Sequence, residues 1–180
     1  MKTDYILFDE KHETGAALIM VEDGTGENSI VVSIGACNHI TDEEIESIRP
    51  EIKGSKILLT QLETNLSAVY KVIDIANEHN VPVVLNPAPI QPIPEELYKK
   101  VMVLTPNETE AEKLSGIPVK DLEGAEKSAK YFRSKGVEHV VITLGSNGVY
   151  VHSNEYKGHV PAFEMKNVID TTGAGDAFSG

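Results

Sequence analysis

The order of apolar runs along this chain predicts an α/β fold: a mostly parallel sheet covered by helices, with an antiparallel hairpin near the N-terminus. Two observations carry the prediction. From residue 57 onward, runs of strand length that are apolar on both faces alternate with amphipathic helical segments, the pattern of parallel strands joined by helical crossovers. Ahead of them, the apolar runs 16–21 and 29–34 flank the Gly-rich stretch 22–28, which is a hairpin signal.

Taken in order, Tyr5-Ile6-Leu7-Phe8 is a short apolar run and is expected to form a strand. The hairpin follows. Thr41-Asp-Glu-Glu44 is a capping box with Ile45, Ile48 and Ile52 at helical spacing behind it, so one helix is expected from about 42 to 53. Ile57-Leu58-Leu59 reads as a buried strand ending at Gln61-Leu62-Glu63, and Val69, Val72, Ile73 and Ala76 mark an amphipathic helix after it. Strands are expected at 81–85, 101–104 and 139–143, with a short helix at 94–98 and longer ones at 107–114 and 122–134. Gly148 to His152 and His159-Val160 form a closing hairpin across 153–158. With no repeat, low-complexity segment or linker, residues 1–180 are expected to make one partial domain, in which 14–36 belongs to a lid.

Composition narrows the function classes. Of the 180 residues, 41% are hydrophobic and 24% charged, as in an ordinary globular protein. The net charge of −12 argues against a nucleic-acid partner or an anionic membrane surface. It also means that a phosphate site needs local donors or a metal ion. The single cysteine, Cys37, excludes an internal disulfide, and no apolar run reaches membrane-spanning length. The opening residues lack a signal-peptide core, so a cytoplasmic location is expected. The six histidines show no zinc-ligand spacing.

In a parallel sheet, the ligand crevice lies at the carboxyl ends of the strands. That rule selects Glu63, Asn86, Asn107 with Glu110, the loop from Gly145 to Gly148, and the terminal stretch Asp170-Thr-Thr-Gly-Ala-Gly-Asp176-Ala-Phe-Ser-Gly180. Gly173 and Gly175 bracket Ala174, which allows successive N–H groups to form an anion nest at the start of a helix. Asp176 beside it makes a phosphoryl-transfer arrangement: the nest takes up charge, and the carboxylate accepts a hydroxyl proton. The alternative is a Gly-rich turn in which Asp176 complements the helix dipole. Asn107 and Glu110 likewise read as a helix cap and its partner, as a phosphate donor and a Mg²⁺-shell carboxylate, or as both. Thr143-Leu-Gly145-Ser-Asn-Gly148 is either a tight turn or a loop offering amides and hydroxyls to a nucleotide. There is no Walker loop and no dinucleotide fingerprint.

Asn107-Glu-Thr-Glu110, Thr143-Leu-Gly-Ser-Asn-Gly148 and Asp170-Thr-Thr-Gly-Ala-Gly-Asp176, in this order, resemble the ribokinase-like (PfkB) family of carbohydrate kinases. Gln61-Leu-Glu63 and Leu85-Asn-Pro-Ala-Pro89 bring the resemblance to the ribose-phosphorylating members. It implies ATP-dependent phosphorylation of D-ribose at O5, with Mg²⁺ and K⁺. Asp176 would take the hydroxyl proton, and the amides of Gly173, Ala174 and Gly175 would form the anion hole. Asn107, Glu110, Thr143, Leu144, Gly145, Ser146, Asn147, Gly148 and Gly175 would serve the nucleotide. Glu63 would bind a ribose hydroxyl, with Ala17 and Ile30 touching the sugar from the lid. Asp170 and Thr172 would hold K⁺, and Glu110 would govern Mg²⁺. The resemblance also implies a homodimer in the complete protein.

The family's amino-terminal sugar-binding Asp and Gly-Gly loop, and its helix after the nest, have no counterpart here. The chain is therefore read as a central segment, and by itself it is not expected to turn over ribose. Two other readings share these residues: a kinase for another sugar or a nucleoside, and a non-catalytic nucleotide-binding fragment.

Overall fold

A computed structural model of the chain describes residues 3–22, 28–164 and 171–180. The N-terminal hairpin is present as β1 (Ala16–Val21) paired antiparallel with β2 (Asn28–Ser33). Its register sets Ala17 opposite Val32 and Ile19 opposite Ile30, so these four share one face while Leu18, Met20 and Val31 share the other. Gly35, at φ +56°, closes the base of the hairpin, where an added Cβ would stand 2.7 Å from the Gly15 nitrogen. The Ala36 N–H donates to the Glu13 carbonyl at 2.8 Å across the same point. The chain can cross itself there only because both positions are glycine.

Two expectations fail in this first third. Tyr5-Ile6-Leu7-Phe8 is not a strand: among the described residues no strand pairs with it, Phe8 is 93% exposed, and the Tyr5 hydroxyl is tied to Glu51 Oε1 at 2.8 Å. An apolar run without a neighbouring edge has no ladder to join. The single helix expected over 42–53 is two, α1 (Asp42–Ser47) and α2 (Arg49–Gly54), broken at Ile48. Pro50, near the start of α2, has no N–H to continue the first helix, and its ring clashes with the preceding turn. The capping box at Thr41 and Glu44 forms as read.

The main body then alternates: β3 (Leu58–Thr60), α3 (Leu66–Glu78), β4 (Val83–Leu85), α4 (Glu95–Tyr98), β5 (Val103–Leu104), α5 (Glu108–Ser115), α6 (Leu122–Ser134), β6 (His139–Thr143), β7 (Val149–His152), β8 (Lys157–Val160) and α7 (Ala174–Ser179). Among the described residues, β3 to β8 form one sheet in sequence order, parallel from β3 to β6 and antiparallel from β6 to β8. Consecutive parallel neighbours require right-handed crossovers, which bring the connecting helices to one face. On that face Val83, Leu85, Leu104, Val140, Ile142 and Tyr150 are buried against the helices. Alternate residues, Val84, Val103 and Val141, point the other way and are half-buried, and Leu59 is exposed.

α6 packs on β6, β7 and α5, and α3 packs on β3, β4 and the two short helices before it. Phe132 on α6 is fully buried, its ring centroid 5.7 Å from that of Tyr98 and 5.4 Å from that of Tyr131. It links α4 to α6 above the sheet. Phe132→Ala leaves a cavity that this packed cluster cannot close, and unfolding in urea should show a loss of about 3–5 kcal/mol; a loss below about 1 kcal/mol would place Phe132 outside the cooperative core.

Candidate active site

The parallel strands β3 to β6 end at one edge of the sheet, and the candidate residues collect there in two groups. The first lies beyond β3 and β4. After Thr60 the chain turns, held by the Asn86 N–H donating to the Thr60 carbonyl at 3.0 Å and the Leu62 N–H donating to the Ala88 carbonyl at 2.8 Å. Leu62 is buried, so the residues on either side of it are presented at the sheet edge. α7 lies against this edge. Gln61 Nε2 donates to Asp176 Oδ1 at 2.9 Å, across 115 residues of sequence. Asn86 Nδ2 donates to Ser179 Oγ at 3.4 Å, one turn further along the same helix. Leu59, Thr60, Gln61, Glu63, Thr64, Asp176 and Ser179 line an open cleft of about 410 Å³.

Of the two glycines in the expected nest, Gly173 takes the left-handed conformation at φ +73° and precedes α7, while Gly175 lies inside its first turn. A Cβ at either glycine would meet nothing within 4 Å, so this side of the turn is open. The Ala174 N–H donates to the Thr171 carbonyl at 3.1 Å, which commits one of the three expected amides to the turn. The first-turn amides of a helix have no intrahelical partner and remain able to face an anion. A carboxylate held through one oxygen by an amide, beside a small-residue turn, can accept a proton on its other oxygen.

The second group lies beyond β5 and β6. Asn107 caps α5: its Oδ1 accepts the Glu110 N–H at 2.8 Å, and Glu110 Oε2 accepts the Asn107 N–H at 2.8 Å. Asn107 also bridges to Thr143 in a parallel pair, supported by the Thr143 N–H donating to the Pro106 carbonyl at 2.9 Å. This welds the helix start to the end of β6. Glu110 is 7% exposed, and burial raises its carboxyl above the ordinary carboxylate range against the lowering effect of its two Asn107 hydrogen bonds. The cap reading of this pair is therefore realised, and the same two side chains stand at the sheet edge.

The loop after Thr143 forms a short 3-10 turn over Gly145–Asn147, closed by the Leu144 N–H donating to the Gly148 carbonyl at 2.8 Å. Gly148, at φ +92°, faces the Pro161 region so closely that a Cβ would stand 2.5 Å from the Ala162 nitrogen. Leu144 and Asn147 border a cleft of about 200 Å³ with Glu108, Lys120, Asp121 and His159. His159 Nε2 contacts the Asn147 carbonyl at 2.5 Å. Gly145 and Ser146 stand exposed on the turn itself.

Not every candidate joins these groups. Ala17 and Ile30 share a face of the hairpin and are exposed there. Thr172 is exposed beside the Gly173 turn, and Asp170 lies outside the described residues. Conversely, Gln61 touches Asp176, and sequence reasoning gave it no role; its place one residue past the carboxyl end of β3 was the signal that marked it. Lys120 and His159 were also missed, because the folds that bring them to Asn147 are loop and hairpin contacts without a sequence pattern.

A family profile described as pfkB family carbohydrate kinase matches residues 1–180. The chain is 45% identical over 167 residues to ribokinase of Haemophilus influenzae, covering 93% of this chain and 54% of that protein. It is 39% identical over 178 residues to ribokinase of Staphylococcus aureus, covering 99% of this chain and 58% of that protein. The solved structure of Arabidopsis thaliana ribokinase complexed with ribose and ATP superposes with a TM-score of 0.78 at 31% identity, over 93% of this chain and 55% of that chain. The chain thus spans a little over half the length of the curated relatives it matches.

The geometry of Glu110 gives a pH-dependent test. Because its native carboxyl holds a proton more tightly than the unfolded chain does, its contribution to stability is complete below the ordinary value of 4.5 and is lost as pH rises through the higher native value. Gln at this position keeps an oxygen for the Asn107 N–H and cannot ionise. Urea midpoints should therefore show Glu110→Gln gaining on the wild type as pH rises above the ordinary value of 4.5, whereas Glu110→Ala, which leaves that N–H unpaired, should lose about 1–3 kcal/mol. A Glu110→Gln difference that does not change with pH would refute the burial argument.

Proposed function

The chain belongs to the pfkB family of carbohydrate kinases, and from that premise we propose that it carries the nucleotide side and the proton-accepting carboxylate of an enzyme that phosphorylates D-ribose at O5 with MgATP. The observation that supports this most is the cleft in which Glu63 and Asp176, remote in sequence, face one small open volume. A sugar there would give a hydroxyl hydrogen bond to Glu63 and present its O5 hydroxyl to Asp176. The likeness to ribokinases of two bacteria, and to a plant ribokinase solved with ribose and ATP, supports the choice of substrate.

In the proposed step, Asp176 accepts the proton of the O5 hydroxyl through the oxygen that Gln61 leaves available. O5 forms a bond to the γ-phosphorus, the bond from that phosphorus to its bridging oxygen breaks, and ADP leaves. The amides of Gly173, Ala174 and Gly175 take up charge on the moving phosphoryl group, with the Ala174 N–H first released from the Thr171 carbonyl. Asn107 and the turn through Thr143, Leu144, Gly145, Ser146, Asn147 and Gly148 hold the nucleotide. The buried carboxylate of Glu110 would hold Mg²⁺ through water, which suits an ion that needs only one or two protein carboxylates beside phosphate ligands. When bound, the ion neutralises phosphate charge. Thr172 and Asp170 would hold K⁺ beside the anion hole.

The hairpin would complete the sugar side. Ala17 and Ile30 share one face and would cover the sugar, leaving Leu18, Met20 and Val31, all more than half exposed, to pair with a second subunit. In an enzyme of full family length carrying this segment, light scattering should give a dimer mass, and Leu18→Asp should shift it toward monomer. A wild-type mass that stays monomeric at all concentrations would contradict the dimer.

The base is tested in the same enzyme. Asp176→Asn keeps the shape and a Gln61 acceptor but cannot take a proton, so kcat should fall by roughly 10²–10⁴-fold with nucleotide affinity nearly unchanged. Retention of more than about a tenth of the activity would exclude Asp176 as the base.

A further inference from the structure

We propose that Gln61 is a positioning residue for Asp176, and that Asn86 assists it, the two side-chain amides together fixing the short helix that presents the carboxylate. The inference rests on the reading of Asp176 as the proton acceptor, and goes beyond it by naming what aims that acceptor. No described residue of α7 is buried, so apolar packing does not set its direction at this end. Its orientation must come from contacts outside it. Gln61 Nε2 to Asp176 Oδ1, at 2.9 Å, and Asn86 Nδ2 to Ser179 Oγ, at 3.4 Å, grip side chains three positions apart on one face of the helix.

Both amides are braced from behind. The Asn86 N–H bonds to the Thr60 carbonyl and the Leu62 N–H to the Ala88 carbonyl, so the backbone carrying Gln61 is fixed to the end of β4 on both sides. Leu62, 2% exposed, anchors that turn in the core. The donors are thus mounted on the sheet rather than on mobile surface, which is what a positioned catalytic group requires.

The chemistry of the donor matters as much as its place. An amide N–H is neutral and fixes Oδ1 without competing for the proton that Asp176 is to receive. It leaves Oδ2 as the accepting atom. A carboxylate at position 61 would instead face Asp176 as a like charge, and a shorter or apolar side chain would let the carboxylate rotate. Misplacement of a reacting group by about 1 Å costs on the order of 10²-fold in rate.

Two measurements test this. In the 180-residue chain, the side-chain amide resonances of Gln61 should move when Asp176→Ala removes their acceptor; unmoved resonances would overturn the contact itself. In an enzyme of full family length carrying this segment, Gln61→Ala should lower kcat by about 10- to 100-fold with the KM for ATP changed less than about twofold. Asn86→Ala should act in the same direction with a smaller fold-change. Gln61→Glu should move the acid limb of the kcat profile to higher pH, because two adjacent carboxylates retain a proton between them, an effect that mere loss of packing does not produce. If Asp176→Asn is inactive while Gln61→Ala keeps kcat within about twofold of wild type, the positioning role fails and the functional reading stands. If Asp176→Asn is itself active, the functional reading fails. Should Gln61→Ala not fold, the resonance measurement and Gln61→Glu decide the question.

Discussion

The parallel pairing of β3 through β6 is the constraint from which the rest of this structure follows. Each parallel neighbour obliges the chain to return to the same starting edge, so every connection must cross over the sheet, and handedness brings those crossovers to one face. The buried side of Leu85, Leu104 and Val140 is the consequence on that face. The consequence at the edge is functional. All four strands end on the same side, so residues at or just past those ends are presented to a ligand in the crevice without its entering the core. Gln61, Asn86, Asn107 and Thr143 are among them, one from each strand or its immediate end.

Local structure at this edge performs two tasks with one set of bonds. The Asn107 and Glu110 pair ends the backbone deficit at the start of α5 and also fixes two polar side chains where a nucleotide would sit. Burial of Glu110 makes its charge costly, and the two hydrogen bonds offset part of that cost. At the other cleft the arrangement is reversed. The Gly173 cap of α7 makes no side-chain hydrogen bond, and long-range amide contacts from the sheet hold Asp176 and Ser179 instead. One group is aimed by its own helix and the other by its neighbours.

This difference explains what could be read from the sequence. Features written within a few residues were legible: α6 at 122–134 and β6 at 139–143 fall as the periodicity places them, and both capping boxes form. The hairpin was legible from two apolar runs and the turn between them. A single proline was underweighted, and it divides the helix expected over 42–53. The run at Tyr5 to Phe8 was misread because strand formation depends on a partner edge, which local apolarity does not report. The strands β4 and β5 are shorter than their apolar runs, since pairing covers only part of each. At the candidate site, the strand-end rule selected residues that the structure brings to one end of the parallel strands. It could not reveal that Gln61 reaches Asp176, because a contact across 115 residues has no local signature.

The charge of the chain leaves one further step. A net charge of −12 opposes the approach of a nucleotide, so under the proposed reading attraction must be generated locally. Several cations are already spent on helix carboxylates: Arg49 on Glu46 and Glu78, Lys71 on Asp42 and Glu46, and Lys130 with Lys157 of the last hairpin on Glu126. Such exposed pairs add little stability and nothing at the cleft. Lys120 borders the Asn147 cleft beside the carboxylates of Glu108 and Asp121, and the Leu144, Asn147 and Gly148 N–H groups are already bonded within the turn. Backbone N–H groups carry no net charge, are not neutralised by the acidic surface, and cost no further ordering once the turn has formed. Under the proposed reading, a phosphate there would meet one lysine against two carboxylates, so amides not already bonded in the turn and a nucleotide-borne Mg²⁺ would have to supply the remaining attraction.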